Sequence, residues 1–274
     1  MKPGSSSTLW LRPWTSTLRS ARVIRLARNW PEVLFSLQMN RRLSHVQFRN
    51  GLDLSCPPEL DMAFLFNEIW VERAYSIHGY QVAPRWNVID VGANVGVFAA
   101  LAASSDPSVR VVACEPHPGN AAWLRANLQR SRLTNVVVKE VAVAGSRQTR
   151  DLFTHPTNWL VHSLQPGIDV QRQPVTCQTL EEQIAELPGT TCDLLKLDCE
   201  GSEHEILEAC DESTLRRVLR IVAEFHPVGE GRDGSTLVAR LMGSGYRIDR
   251  LVHWPGATGL VAATREDGLP LRQK

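Results

Sequence analysis

The stretch NVIDVGANVGVFAA, residues 87–100, decides how the rest of the chain is read. Its first half is an apolar run, Val88, Ile89 and Val91, holding a single acid, Asp90. Gly92, Asn94 and Gly96 follow at alternate positions, and an apolar, helix-compatible segment begins at once. The pattern predicts a strand, a tight turn and a helix. An acid at a strand tip followed by a glycine turn and a helix N-terminus is how α/β sheets receive nucleotide-like cofactors.

Outward from that stretch the same alternation repeats. Strands are expected at VRVVAC (109–114), NVVVKEVAV (135–143), CDLLKLD (192–198) and VLRIVAEFH (218–226). Helices are expected over 95–104, 118–130, 202–210 and about 235–243. Strands of nearly continuous Val, Ile and Leu separated by helices predict a parallel sheet covered on both faces. The last two strand-like runs, YRIDRLV and GLVAATR, are separated only by HWPGAT, residues 253–258. Six residues cannot hold a crossover helix, so the final strand must run antiparallel to its predecessor. The fold class expected is α/β, a Rossmann-like, mostly parallel sheet with a C-terminal antiparallel hairpin, which resembles the architecture of class I methyltransferases. Residues 144–178 interrupt the alternation and read as an insertion over the functional face.

The glycine spacing narrows the cofactor. A dinucleotide fingerprint needs G-x-G-x-x-G, but Asn94 stands two residues after Gly92 and Val97 five after it. A phosphate-binding P-loop is excluded because no Gly-Lys-Ser/Thr follows. The remaining D-x-G-x-N-x-G suits S-adenosylmethionine, which has no phosphate but carries a sulfonium and an ammonium group. Asp90 is expected to face its cationic parts, while Gly92, Asn94 and Gly96 let its body lie near backbone. Glu115 directly follows the second strand and is placed to accept ribose hydroxyls. Enzymes that bind NAD share that acid, so the glycine spacing decides between the two cofactors. Either acid could instead cap a helix.

Charge divides the chain. Residues 1–50 carry nine Lys/Arg and one acid, Glu32, and the remainder is net −7. Three parts are expected: a basic arm at 1–43, a cap at 44–84 and the main domain at 85–274. Within the arm, TLRSARVIRLARNW (17–30) places Val23, Ile24, Leu26, Ala27 and Trp30 on one helical side and Arg22, Arg25 and Arg28 on the other. Such a segment can pack on the body, lie on an anionic membrane surface or serve as a targeting peptide. In the cap, HVQFRNGLDLSC (45–56) alternates around Asn50-Gly51, which predicts a type I′ hairpin. A helix is expected within 57–80. The six cysteines form no CxxC pair, and no apolar run approaches the ~20 residues a membrane span needs. Reduced thiols and a cytoplasmic location are the expectation. A basic arm on an acidic body argues against nucleic acid as partner. Oligomeric state is not legible.

Five blocks, NVIDVGANVGVFA, CEPHPGN, EVAVAG, DLLKLDCEGSEHEIL and IVAEFH, together resemble the FkbM-type S-adenosylmethionine-dependent methyltransferases. EIWVERAY (68–75) resembles the segment that precedes the glycine loop in that family. The resemblance covers about 68–226, with Cys199 where a branched aliphatic residue is common and Ser202 where alanine is. It implies methyl transfer, with Pro116, Ala142 and Asp198 joining the residues that hold the cofactor. The acceptor it implies is a hydroxyl of a sugar, glycan or other natural product. A nitrogen acceptor and an inactive binding module are the alternatives.

Asp198 and Glu200 follow the fourth strand, and Glu224 and His226 end the fifth, so all four are expected beside the cofactor. His226 is the natural general base by its ordinary pKa, with Asp198, Glu200 and Glu224 as partners or substitutes. Plainer roles are open for each: Asp198 on the cofactor's ammonium, Glu200 as a helix cap, His226 as a structural partner. Lys196, inside the strand, is expected to be structural or to pair with a nearby acid. A divalent metal on these four side chains is chemically reasonable, but none is expected, because the cofactor's own cation needs part of that negative charge.

Overall fold

A computed structural model of the chain describes residues 17–71, 75, 81–155, 162–166, 171–229 and 231–266. Its first elements are α1 (Thr17–Leu26), α2 (Trp30–Met39), β1 (His45–Gln47), β2 (Asp53–Ser55) and α3 (Met62–Phe66), which runs on into one π-helical turn at Asn67–Val71. Then come β3 (Asn87–Val91), α4 (Val97–Ser105), β4 (Arg110–Cys114), α5 (Pro118–Arg130), β5 (Val136–Lys139) and β6 (Ala142–Val143). A pair, β7 (Gln148–Thr154) and β8 (Gln171–Gln178), precedes α6 (Leu180–Ala185), β9 (Leu194–Leu197), α7 (Glu203–Ala209) and α8 (Glu212–Leu215). The chain closes with β10 (Arg220–Phe225), α9 (Gly234–Gly243), β11 (Tyr246–His253) and β12 (Gly259–Arg265).

Seven strands form the main sheet in the order β11-β12-β10-β9-β3-β4-β5. β9, β3, β4, β5 and β10 are parallel, and β12 runs antiparallel to both β10 and β11. The expected hairpin is present, but the last strand inserts between β10 and β11 instead of extending the edge. Adjacent residues on each strand go to opposite faces. Val88, Val111 and Leu194 join one apolar core with α4, α5 and the N-terminal elements, while Ile89, Val112 and Leu195 join a second with α6, α7 and α9. That double burial is why the strands read as unbroken apolar runs.

The expected insertion contributes β7 and β8, which pair antiparallel, and β8 also pairs with β6 in a separate three-stranded sheet. β6 is thus split from β5, although the sequence reads 135–143 as one strand. Arg150 ties this small sheet to α7, with its guanidinium 2.7 and 2.9 Å from the two oxygens of Glu205.

The arm and the cap pack as one layer on this sheet. Val23, Ala27 and Val33 are fully buried in the same core as Val46, Leu54 and Phe66. Arg28 N donates to Gln47 O, Arg49 N to Leu26 O, and the Arg22 guanidinium to Val71 O. Residues 17–39 are therefore built into the body, and the part of the expected arm before them lies outside the described residues. The hairpin at 45–56 forms with His45 opposite Ser55. Its turn differs from the expected type I′: only Gly51 of the Asn50-Gly51 pair has positive φ, +96°, and Gly51 N closes the turn on Phe48 O. A left-handed glycine at that place is the bulged form of hairpin. No helix among the described residues is long and apolar enough to cross a membrane, and all six cysteines are free thiols.

Candidate active site

The C-terminal ends of β3, β4, β9 and β10 open on one cavity of about 770 Å³. α3 and the π turn wall one side of it with Phe64, Leu65, Glu68 and Ile69. The β11–β12 turn walls another with His253, Trp254 and Thr258, and the small sheet supplies Leu152. Clefts at the strand ends of open α/β sheets are where such folds bind ligands.

The glycine turn owes its composition to internal packing. Gly92 has φ +74°, and a Cβ there would lie 1.8 Å from the carbonyl oxygen of Asp198. Only glycine lets the β3 and β9 ends approach so closely. Gly96 has φ +85°, and a Cβ would meet Leu124 Cγ at 2.8 Å; it caps α4 and does not line the cavity. Asn94, at φ +50°, lines the cavity and donates its N–H to Glu115 Oε2 at 2.8 Å. Glu115 Oε1 accepts from His117 N at 2.9 Å. Burial lifts the Glu115 carboxyl to about 7 against these hydrogen bonds. The Asn120 side chain bonds to Glu115 as well, and with some four lone-pair positions on a carboxylate Glu115 can hold the glycine turn and still receive a hydroxyl. Pro116, Val141, Ala142 and Leu152 give this end of the cavity apolar walls.

Asp90 lies elsewhere than expected. Its side chain is fully buried and absent from the cavity wall, and its Oδ1 is 3.1 Å from Lys196 Nζ. The two residues are register partners on β3 and β9, so their side chains share a face of the sheet. Lys196 also reaches Asp198 Oδ2 at 3.3 Å and donates to Gly92 O at 2.8 Å. Its ammonium lies 5.4 Å from the ring centre of Tyr75 and 5.9 Å from that of Phe98. Burial opposes this charge, but Asp90 and Asp198 outweigh it and hold Lys196 above its usual range.

Asp198, Glu200 and Glu224 line the cavity together, as their strand positions predict. Two residues that were not singled out join them. Tyr75 donates from one hydroxyl to Asp198 Oδ2 (3.0 Å) and Glu224 Oε2 (3.2 Å), which share its proton. Glu68 enters from the π turn, a helix irregularity often found at functional sites. Both lie in EIWVERAY, whose resemblance was the available signal. Burial first, then neighbouring carboxylates, lift Glu68 and Glu200 to about 7 and push Glu224 higher.

His226 is not a cavity residue. Its Nδ1 is 3.2 Å from Glu203 Oε1 and its Nε2 is 3.5 Å from Glu200 Oε2. Burial lowers its pKa, but the Glu203 hydrogen bond and the charges of Glu200, Glu203 and Asp198 raise it to about 10. An imidazolium so held has no lone pair to take a proton, which corrects the expected role of His226 as general base.

The surplus of buried carboxyls over cations fits a ligand that brings positive charge, and the glutamate opposite, among apolar walls, fits a nucleoside. That is the chemistry of S-adenosylmethionine. Among the described residues, no group of three or more His, Cys, Asp or Glu side chains is arranged to hold a metal ion.

Comparison with known proteins agrees with this geometry. The family described as the methyltransferase FkbM domain matches residues 90–248. The chain is 30% identical over 229 residues to the 31-O-demethyl-FK506 methyltransferase FkbM of Streptomyces tacrolimicus, covering 73% of this chain and 87% of that one. It is 24% identical to the methyltransferase sdnD of Sordaria araneosa, covering 76% of this chain and 92% of that one. The crystal structure of a precorrin-6y C5,15-methyltransferase from Geobacter metallireducens GS-15 aligns with a TM-score of 0.43 at 16% identity, over 68% of this chain and 84% of that one. The family match across more than half of the chain, together with the 30% identical relative, shows that this chain belongs to the FkbM family and is an S-adenosylmethionine-dependent methyltransferase.

Proposed function

We propose that the enzyme methylates a hydroxyl group of a small sugar, glycan or other natural product. The observation that carries this reading is the carboxyl cluster of Glu68, Asp198, Glu200 and Glu224 on the cavity wall. A neutral hydroxyl is a poor nucleophile until a base takes its proton, and carboxyls lifted toward neutrality are suited to do so. The Streptomyces relative, named as a 31-O-demethyl-FK506 methyltransferase, is in keeping with it. The cofactor would lie with its ribose on Glu115, its adenine among Pro116, Val141 and Ala142, and its amino acid near Asn94 and Asp198. Bound there, it supplies an electrophilic methyl group on a sulfonium. The chain's own groups hold the acceptor in line and remove its proton. Phe64, Leu65, Ile69 and Trp254 give the acceptor an apolar wall.

The test is methyl transfer from labelled S-adenosylmethionine to a panel of hydroxylated sugars and natural products, 31-O-demethyl-FK506 among them. Matched amines and N-heterocycles complete the panel. A methyl ether product, located by NMR, supports the reading. Label on nitrogen alone, or on none of the panel, overturns it.

A further inference from the structure

Glu200 is held with unusual completeness for a surface-loop acid. Its backbone is left-handed, at φ +54°, a conformation that a glutamate rarely adopts. The amides on either side of it are both fixed by one carboxylate: Cys199 N donates to Glu203 Oε1 and Gly201 N to Glu203 Oε2, each at 2.9 Å. The carbonyl of Glu200 accepts the Ser163 hydroxyl. Glu203 itself is fully buried at the start of α7 and also meets His226 Nδ1 at 3.2 Å. The other ring nitrogen of His226 faces Glu200 Oε2. A buried carboxylate, an imidazole and a cavity-lining carboxylate therefore stand in a row.

We propose that Glu203 and His226 form a clamp that fixes Glu200 at the cavity wall and supplies the positive charge that keeps its carboxylate ionised near neutral pH. Glu203 and His226 are positioning residues here, and Glu200 is the group presented to the acceptor. The proposal rests on the methyltransferase reading, because an ionised carboxylate at that place is what a hydroxyl needs in order to lose its proton.

The neighbouring carboxylates give the clamp its purpose. Glu200 feels Asp198 from the end of β9, Glu203 from α7, Glu224 from β10 and Glu68 from the π turn, all of which oppose its ionisation. Lys196 and His226 are the cations that favour it, and His226 is the stronger of the two. Asp198 and Glu224 already share the Tyr75 hydroxyl, and Asp198 also meets Lys196. Glu203 thus holds His226 beside Glu200 much as Asp90 holds Lys196 beside Asp198.

The experiment is a carbon-detected NMR titration of the full chain with labelled glutamate, the Glu200 signal being the one absent from Glu200→Gln. In the wild type Glu200 should titrate near 7. His226→Gln should raise that midpoint by about 1 to 3 pH units, the usual effect of losing an opposite charge at this range, and His226→Lys should restore it. A midpoint that stays put or falls in a folded His226→Gln overturns the clamp. Should His226→Gln fail to fold, nitrogen NMR of the wild-type histidines decides. One ring must remain doubly protonated at pH 8, and eight rings that all titrate at or below 7 overturn the proposal. Calorimetry with S-adenosylhomocysteine runs alongside. Loss of that binding in the wild type would count against the methyltransferase reading, whereas an unmoved Glu200 midpoint counts against the clamp.

Discussion

Asp90 and Lys196 occupy one register position on neighbouring parallel strands, and their charges meet at 3.1 Å, with Lys196 on the cavity wall and Asp90 off it. Both are at least nine-tenths buried. The pair acts on the site through its second contacts, since Lys196 also holds the Gly92 carbonyl and the Asp198 carboxylate.

Lys196→Met leaves Asp90 as a buried charge without its cation. Urea unfolding should show a loss of about 3–5 kcal/mol, the scale seen when one member of a buried pair is removed. Adding Asp90→Asn should recover part of that loss, because it removes the stranded charge. A Lys196→Met variant within 1 kcal/mol of the wild type would mean that the pair contributes little.

Glu115→Gln should weaken S-adenosylhomocysteine binding by at least about 1 kcal/mol, the scale of a hydrogen bond to a charged group. Calorimetry at constant pH measures it. The substitution keeps an acceptor for either Asn94 N or His117 N, so the fold should persist. Unchanged affinity would remove Glu115 from the ribose site.

The raised pKa of His226 makes a signed statement about stability. A histidine at about 10 in the folded state and near 6.5 unfolded contributes stability that is complete below pH 6.5 and disappears as pH rises through 10. Urea unfolding at a series of pH values should show wild-type stability falling across that window, with the fall reduced in His226→Gln. Glu68, Glu115 and Glu200, lifted to about 7, act in the same direction at lower pH. Their folded forms keep a proton that the unfolded chain releases, so stability declines between about 4.5 and 7 on their account. Parallel curves for wild type and His226→Gln above pH 6.5 would contradict the assignment.

Removing residues 1–43 should destabilise the protein and not merely shorten it. Val23, Ala27 and Val33 are fully buried, and at roughly 25 cal/mol per Å² of apolar surface their loss amounts to about 3–5 kcal/mol. A chain beginning at Ser44 should melt many degrees lower than the whole protein or precipitate. Equal melting of the two would restore the independent arm that the charge pattern suggests.

Trp254 belongs to the β11–β12 turn, which is closed by Trp254 N on Thr258 O at 2.8 Å and faces the cap across the cavity. Trp254→Ala should raise the KM for the acceptor found in the panel about tenfold, with S-adenosylhomocysteine affinity within twofold. Steady-state kinetics and calorimetry separate the two, and a matching loss of cofactor affinity would move Trp254 to the other end of the cavity.

The order of strands and helices, the antiparallel last strand and the face carrying Glu115, Asp198, Glu200 and Glu224 were legible in the sequence. All follow from local rules: apolar periodicity, loop length, and the fact that parallel strands end on the same side. Side-chain neighbours across strands do not follow from those rules. Asp90 and Lys196 are 106 positions apart in reading but adjacent once β3 and β9 pair in register, so the acid expected at the cofactor became the partner of a lysine expected to be structural. Gly92 read as room for a ligand; it does line the cavity, but the place a Cβ would take is filled by the backbone of Asp198. His226 read as a base because an isolated histidine titrates near neutrality. Only the folded chain brings Glu203 and Glu200 to its two nitrogens and turns it into a cation. Local sequence determined which chemistry lies at the strand ends. Tertiary packing decided which of those groups face the cavity and in what charge state, because burial and opposing charge act through space, between residues that the chain itself keeps far apart.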